Sequence, residues 1–454
     1  MLPEDWSVRL VDLNVTRLRA KDLAWADMAM VSGMVVQRDS ARRVLRRCRE
    51  AGLTTVAGGP LFTIEHEAFR SDVDHLVLNE AEVTLPPFLR DLERGQAKPV
   101  YTSDQFPDIR QTPSPRWELA DLKRYGWMSV QYSRGCPFAC DFCNVTSLFG
   151  RRPRTKTSAQ ILVELDTLYD RGWRGGVFFV DDNFIGKKGD LKQNLLPALI
   201  EWKKTHPGIP FHTEVSMNLA DDPDLMHLMV EAGFHMVFVG VETPDEAGLA
   251  ECSKKQNQGR DLVADVKRLQ RAGLQVQGGF IVGFDSDSPS IFQRQIDFIQ
   301  KSGIVTAMVG LLQAIPGTGL YERLEREGRL LGTSSGDNVD GTTNLIPRMN
   351  AERLRRGYQT ILKHIYSPRH YYQRVRTFLR EYRAPETTAR IRFQDIMAFV
   401  RSIVRLGIFG RGRFGYWGLL AWTYFCRPEL VPLAVTLAIM GHHCRTVCRL
   451  HVLK

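Results

Sequence analysis

A chain of 454 residues with 43% hydrophobic content is long enough for two or three domains with real cores, which excludes a fibrous or low-complexity protein. Its eight cysteines lack the even spacing of a small secreted disulfide scaffold, and MLPEDWSVRL has no basic stretch leading into an apolar run, so a reducing cytoplasm rather than export is expected. The net charge of +10 is local: residues 351–454 hold 19 Lys and Arg against 5 Asp and Glu, which leaves residues 1–350 at −4. Such a tail suits nucleic acid, an anionic membrane surface or a merely solvated helix face.

Residues 1–105 alternate apolar runs with helical periodicity. SVRLVDLNV, DMAMVSGMVV, TTVAGGP and DHLVLNE read as strands, and SARRVLRRCREAG as the helix between the second and third. That alternation predicts a parallel α/β sheet of Rossmann-like, flavodoxin type. Its ligands would sit beyond the carboxyl ends of the strands, where Ser32, Gly33, Gly58, Gly59, Pro60 and Glu80 fall. A Gly-Gly-Pro after a strand is more often only a turn.

Residues 106–126, with Pro107, Pro113 and Pro115, read as a linker. From 127 to 330 the βα pattern restarts and holds for six units, with strands at WMSVQYS, GVFFVDD, PFHTEVSMN, HMVFVGVE, VQGGFIVGF and VTAMVGLLQA. Six units in this length predict a partial (β/α)6 TIM-like barrel with its site at the carboxyl ends of the strands. Residues 331–454 read as a basic, mostly helical domain after the loop GTSSGDNVDGTTN. Its apolar run Leu430–Gly441 is twelve residues, short of the roughly 18 that a bilayer span needs, so a core helix is the default and a helix lying at the headgroups the alternative.

SRGCPFACDFC puts Cys136, Cys140 and Cys143 just after the first barrel strand, in a C-x3-C-x2-C spacing with no fourth cysteine nearby. Structural zinc prefers paired knuckles with four ligands, although a three-ligand catalytic zinc stays open. A cubane iron–sulfur cluster normally takes four cysteines, so three would leave one iron open to a small molecule.

This spacing, with Phe142 before the last cysteine at the first strand of a βα barrel, resembles the radical S-adenosylmethionine (SAM) enzymes. The resemblance implies a [4Fe–4S] cluster on the three cysteines, and SAM chelated to the open iron and cleaved by one electron to a 5′-deoxyadenosyl radical. It further implies SAM contacts from Phe142, from Asp181, Asp182 and Asn183 after the second strand, from Glu214 and Glu242 at the next two strand ends, and from the glycine motif holding Gly279 and Gly283. Pro316-Gly317-Thr318 matches the stretch after the sixth strand. Each carboxylate has a plain alternative as a helix cap.

VAGGP followed by HLVLNEAE is similar to the cobalamin-binding domain of one large branch of this superfamily. FGRRPRTKT, FFVDDNFIG and FDSDSPSIFQRQIDFIQKSGI are similar to a group that includes the hopanoid methylases, as are the basic, apolar residues from about 330 onward. Cobalamin is therefore expected, on Ser32, Gly33, Gly58, Gly59, Pro60 and Glu80. No D-x-H-x-x-G motif offers a lower axial histidine, and the front sheet is expected to lack its first, central strand, which would leave a gap between its neighbours.

The function expected from this resemblance is cobalamin-dependent methyl transfer to an unactivated carbon of a hydrophobic, lipid or isoprenoid substrate. The alternative is radical cyclisation or rearrangement without net methylation. A flavodoxin- or ferredoxin-type electron donor, a cytoplasmic location with peripheral contact to the inner face of the membrane through the C-terminal domain, and no nucleic-acid partner complete the expectation.

Overall fold

The computed structural model describes residues 1–384 and 393–453, which pack as two compact units: Met1–Gly175 with Ala314–Asp337, and Gly176–Gln313 with Asn338–Lys454. These units cut across the four stretches expected from the sequence, because the cysteine loop packs with the front sheet.

In the first unit, β1 (Met28–Ser32), β2 (Thr54–Gly58), β3 (His75–Val77) and β4 (Val100–Tyr101) form a parallel sheet in that order. The expected gap is not there: β1 pairs directly with β2 from Met28↔Thr54 to Ser32↔Gly58. SVRLVDLNV is not a strand. Asp12 folds it into a turn, its carboxylate accepting from the Asn14 N–H at 2.9 Å and its carbonyl from those of Val15 and Thr16. The helix Arg38–Glu50 packs beside the sheet through Ala41, Leu45 and Cys48, one face at helical spacing.

The same unit holds β5 (Trp127–Val130), whose Met128 and Val130 are buried, and the short antiparallel pair β6 (Ser133–Arg134) and β7 (Arg154–Thr155). The helix Ser158–Asp170 completes the first βα repeat, with Thr157 and Gln160 forming its capping box.

The second unit carries five parallel strands: β8 (Gly176–Phe179), β9 (Phe211–Val215), β10 (Phe234–Glu242), β11 (Gln275–Val282) and β12 (Ala307–Leu311), each paired with the next. With β5 they supply the six strand–helix repeats expected. Phe179, Phe184, Phe211 and Phe234 pack edge-to-face or tilted at 4.9–5.5 Å beneath the strands. After β8 the chain is helical from Lys188 to Thr205, with a widened turn over Leu191–Leu195 just before Pro197, which has no N–H to give.

Helices Ala351–Ile365, Pro368–Glu381, Phe393–Ser402, Arg413–Cys426 and Val431–His451 make the C-terminal region helical, as expected. Arg374, fully buried, ties them to the last repeat by donating to Gln300 Oε1 at 2.6 Å and the Val305 carbonyl at 3.2 Å. The helix that carries the last apolar segment is longer than its twelve-residue run. It runs on past Gly441, which fits against the Tyr371 ring, and Pro428–His451 is long and apolar enough to cross a membrane by length and composition only, with 33% of its most apolar 18-residue window buried.

Candidate active site

The cysteine loop leaves β6 and returns on β7, so the Ser133↔Thr155 and Arg134↔Arg154 pairing closes its neck. Inside, the Cys143 N–H donates to the Cys140 carbonyl at 3.0 Å and the Cys136 N–H to the Gly150 carbonyl at 3.3 Å. Gly135 has φ +92°, and a Cβ there would lie 2.9–3.1 Å from the carbonyls of Gly150, Phe149 and Arg152, so only glycine lets the two arms cross. The residues after β12 pack on this loop: the Leu320 N–H donates to the Asp141 carbonyl at 2.9 Å, and a Cβ on Gly319 would strike Asp141 Oδ1 at 2.4 Å.

All three thiols are partly exposed. Among the described residues no three His, Cys, Asp or Glu side chains gather closely enough to hold one metal ion. Three thiolates on one loop are the donor set of a [4Fe–4S] cluster with one iron left open.

Glu80, expected at the cobalamin edge, is tied to the cysteine loop. Its carboxylate is buried between two arginines of the loop neck: Arg134 Nη1 donates to Oε2 and Arg154 Nη2 to Oε1, both at 2.7 Å. Arg134 also pairs with Glu82 at 2.9 Å, and Arg154 donates to the Pro107 and Phe149 carbonyls. Burial pushes the Glu82 carboxyl up, but the Arg134 hydrogen bond and charge, with hydrogen bonds from Thr112 and the backbone, together outweigh it and its pKa falls. These two arginines were missed because nothing local marks them.

The other residues expected to meet cobalamin lie at the carboxyl ends of β1 and β2. A Cβ on Gly58 would lie 2.5 Å from the Val77 carbonyl, and one on Gly59, where φ is +86°, 2.4 Å from Ser32 Oγ. The Leu61 N–H donates to the Gly33 carbonyl at 3.0 Å, and Pro60 opens the helix Pro60–Ile64. Close packing of these loops on each other accounts for both glycines. Met34 and Val36 stay exposed alongside.

In the second unit, the residues after β8, β9 and β10 converge. Asn183 Oδ1 accepts from the Ser216 N–H at 3.1 Å and its hydroxyl at 3.3 Å, which ties the turn after β8 to the end of β9. Glu214 lies near Asp181 and Asp182: burial first, then the charges of Asp182 and Asp181, push its pKa up to about 7, while Lys254 pulls the other way. Lys254 Nζ donates to Glu242 Oε1 at 2.7 Å. Glu242 ends β10 at a bulge with φ +65°, its side chain folded over Gly240, where a Cβ would lie 2.3 Å from Oε1. Asn257 Nδ2 holds that bend through the Gly240 and Val241 carbonyls at 3.0 and 3.1 Å. Lys254 and Asn257 were also missed from the sequence.

Gly283, after β11, has φ +110°, and its N–H donates to Asp287 Oδ2 at 2.7 Å. Gly279 faces Phe238, whose Cζ would lie 3.0 Å from an added Cβ. Phe142 lies in the first unit, on the cysteine loop, and is half-buried.

A three-thiolate loop on a βα barrel is the mark of an iron–sulfur enzyme of radical type, and the comparisons agree. The radical SAM superfamily matches residues 130–299, and a domain of unknown function, DUF4070, matches residues 318–453. An uncharacterised methyltransferase of Synechocystis sp. is 41% identical over 92% of this chain and 79% of its own length. The hopanoid C-2 methylase of Rhodopseudomonas palustris is 34% identical over 97% of this chain and 85% of its own. The chain therefore belongs to the radical SAM superfamily, in the methyltransferase branch that these relatives represent. Its fold is similar to that of the radical SAM methyltransferase TsrM from Kitasatospora setae, solved with cobalamin and a [4Fe–4S] cluster (TM-score 0.59, 15% identity, 93% of this chain and 90% of that one). It is likewise similar to the cobalamin-dependent SAM radical enzyme OxsB (TM-score 0.59, 14% identity, 94% and 69%).

Proposed function

We propose that this protein is a cobalamin-dependent radical SAM methylase that adds a methyl group to an unactivated carbon of a hydrophobic, lipid-like substrate. The observation that carries the reading is the three-cysteine loop, braced by Arg134, Arg154 and Glu80, in a chain 34% identical to a hopanoid C-2 methylase. An unactivated carbon has no acidic proton, so a general base alone is of no use and the cofactors must carry the hard step. Bound here, the cluster with SAM would supply a carbon radical able to take a hydrogen atom, and a methylated cobalamin would supply the methyl group.

The chain's own residues hold and orient. Cys136, Cys140 and Cys143 take three irons and leave the fourth for SAM. Asp181, Asp182, Glu214 and Glu242 gather with Lys254 at the strand ends, a cluster with more carboxyls than cations that suits the cationic ammonium and sulfonium of SAM. Asn183 fixes the turn that carries Asp181 and Asp182. Ser32, Gly33, Gly58, Gly59 and Pro60 remain the proposed cobalamin edge, with Met34 and Val36 as its apolar flank, while Glu80 is assigned to the brace. Peripheral membrane contact through the C-terminal helices would bring a lipid-like substrate to the barrel, and a flavodoxin- or ferredoxin-type protein would supply electrons.

Anaerobic reconstitution with iron, sulfide, cobalamin, SAM and a one-electron donor, using a polycyclic triterpenoid as substrate, tests the reading. Production of 5′-deoxyadenosine and S-adenosylhomocysteine together, with a product heavier by one CH2, is expected. 5′-Deoxyadenosine with an unmethylated, cyclised or rearranged product would replace this reading with the rearrangement alternative.

A further inference from the structure

The barrel accounts for the chemistry but not for the C-terminal helices, whose matching family has no known function. Helix Pro368–Glu381 turns Arg369, Gln373, Arg376 and Arg380 to one side at helical spacing. Helix Arg413–Cys426 and the residue before it approach closely along Gly412, Gly415 and Gly418. Cβ atoms there would lie 2.6 Å from Pro368, 2.7 Å from the Tyr372 ring and 3.0 Å from Arg376 Nη2. This leaves a cleft of about 630 Å³ lined by Arg369, Arg376, Arg380 and Arg411 together with Tyr372 and Phe414.

Among the described residues none of these four arginines has a carboxylate partner, unlike Arg134 and Arg154 in the loop neck. Arg376 Nε is buried without an acceptor, and Arg380 lies over the Trp422 ring at 5.6 Å. Four guanidiniums lining one cleft repel each other, and an anion there relieves that repulsion.

The rim is apolar. Phe414, Trp417, Tyr424 and Phe425 share one face of helix Arg413–Cys426, with Phe414 80% and Phe425 82% exposed; Phe409, just before it, is 79% exposed. A patch this apolar beside arginines that have no carboxylate partner among the described residues is costly in water and suited to the headgroup boundary of a bilayer. Single-stranded nucleic acid also uses arginines and aromatics. The exposed aliphatics Val400, Val404 and Ile408 nearby in sequence have no ring to stack on a base and favour acyl chains.

We propose that this face docks the protein on an anionic phospholipid bilayer, a headgroup phosphate entering the arginine cleft while Phe409, Phe414 and Phe425 sink among the upper acyl chains. The proposal rests on the methylase reading only for its purpose, since docking itself needs no catalysis.

Flotation of the full chain with phosphatidylcholine vesicles, with and without phosphatidylglycerol, tests it. Binding to the anionic vesicles should be at least about tenfold the tighter and weaken as salt is raised. Arg376→Gln with Arg380→Gln should weaken it by roughly fivefold per arginine. Phe414→Ser with Phe425→Ser should release the protein from both kinds of vesicle. Circular dichroism confirms that each variant folds, and the wild-type comparison of the two vesicles stands if one does not. Cys140→Ala should float like wild type, so loss of the cluster chemistry and loss of docking are read separately. Equal binding to both vesicles, or none to either, overturns the proposal. So does calorimetric binding of inorganic phosphate without flotation, which would make the cleft a free-phosphate site, or retention of an RNA oligonucleotide with a steep salt slope and no flotation.

Discussion

Arg134 and Glu80, 54 residues apart in sequence, meet at 2.7 Å with the carboxylate side chain only 2% exposed. The same carboxylate receives Arg154 from the returning arm, so one buried charge holds both sides of the neck of the cysteine loop. Removing it leaves the largely covered Arg154 guanidinium with only the Pro107 and Phe149 carbonyls, while Arg134 keeps Glu82. Breaking a buried pair in this way costs about 3–5 kcal/mol. Glu80→Gln is expected to lower the urea midpoint and also the iron bound per chain after anaerobic reconstitution, although every cysteine remains. A variant with an unchanged midpoint and full iron would remove the brace from the account.

The three cysteines should be separable from the rest by the same assay. Cys136→Ala, Cys140→Ala and Cys143→Ala are each expected to abolish the brown absorbance and acid-labile sulfide. Cys48→Ala and Cys252→Ala should keep both, because Cys48 is buried on the helix Arg38–Glu50 and Cys252 behind the Leu249 carbonyl, where each packs as a small apolar group. Loss of the cluster in either control would mean that the ligand set has been misassigned.

The barrel strands were legible because strands covered by helices are written as short apolar runs between glycines and helical patterns, as in GVFFVDD and VQGGFIVGF. SVRLVDLNV carries the same apolar signal, and its strand was cancelled by one local competitor, the Asp12 carboxylate that caps its own turn. Glu80 could be seen at a strand end, but its partners 54 and 74 residues away could not. Lys254 was invisible for another reason: which of Lys254 and Lys255 reaches Glu242 is set by the left-handed turn at Ser253, φ +55°, and no spacing rule predicts that. The C-terminal helix was judged by its apolar run, while its length is decided by polar residues beyond Gly441 that simply continue it.

Glu214 links the site to pH. Burial, and then Asp182 and Asp181, hold its pKa at about 7, above the ordinary value of 4.5. Between those values the folded chain keeps a proton that the unfolded chain has released, so stability falls as pH rises through the window. Below about 4.5 both states are protonated and the contribution is intact. Glu214→Gln should remove this part of the slope and be the more stable form at pH 8, the gain growing by at most about 1.4 kcal/mol for each pH unit crossed within that window. SAM affinity of the wild type should rise through pH 7 as the carboxylate ionises toward a cation, and the variant should lose that rise. Parallel urea midpoints for the two proteins from pH 5 to 8 would contradict the raised pKa.

Asp287 should titrate in the same sense but for a different structural reason. Its Oδ2 accepts from the Gly283 N–H at 2.7 Å and the Phe284 N–H at 3.1 Å, which favours the charged form. Burial is the larger effect and lifts the pKa to about 7, with Oδ1 left without a partner. The carboxylate latches a turn that Gly283 enters at φ +110°, so two substitutions separate latch from charge. Asp287→Ala loses both hydrogen bonds and should lie about 1–3 kcal/mol below Asp287→Asn at every pH. Asp287→Asn keeps an acceptor oxygen without the charge, so its advantage over wild type should grow from pH 5 to pH 8. Thermal melts at the two pH values check both, with Gly283→Ala, strained at that φ, as the control for the turn itself. If Asp287→Asn proves as destabilising as Asp287→Ala at both pH values, the latch depends on ionisation, and burial is not what governs this carboxylate.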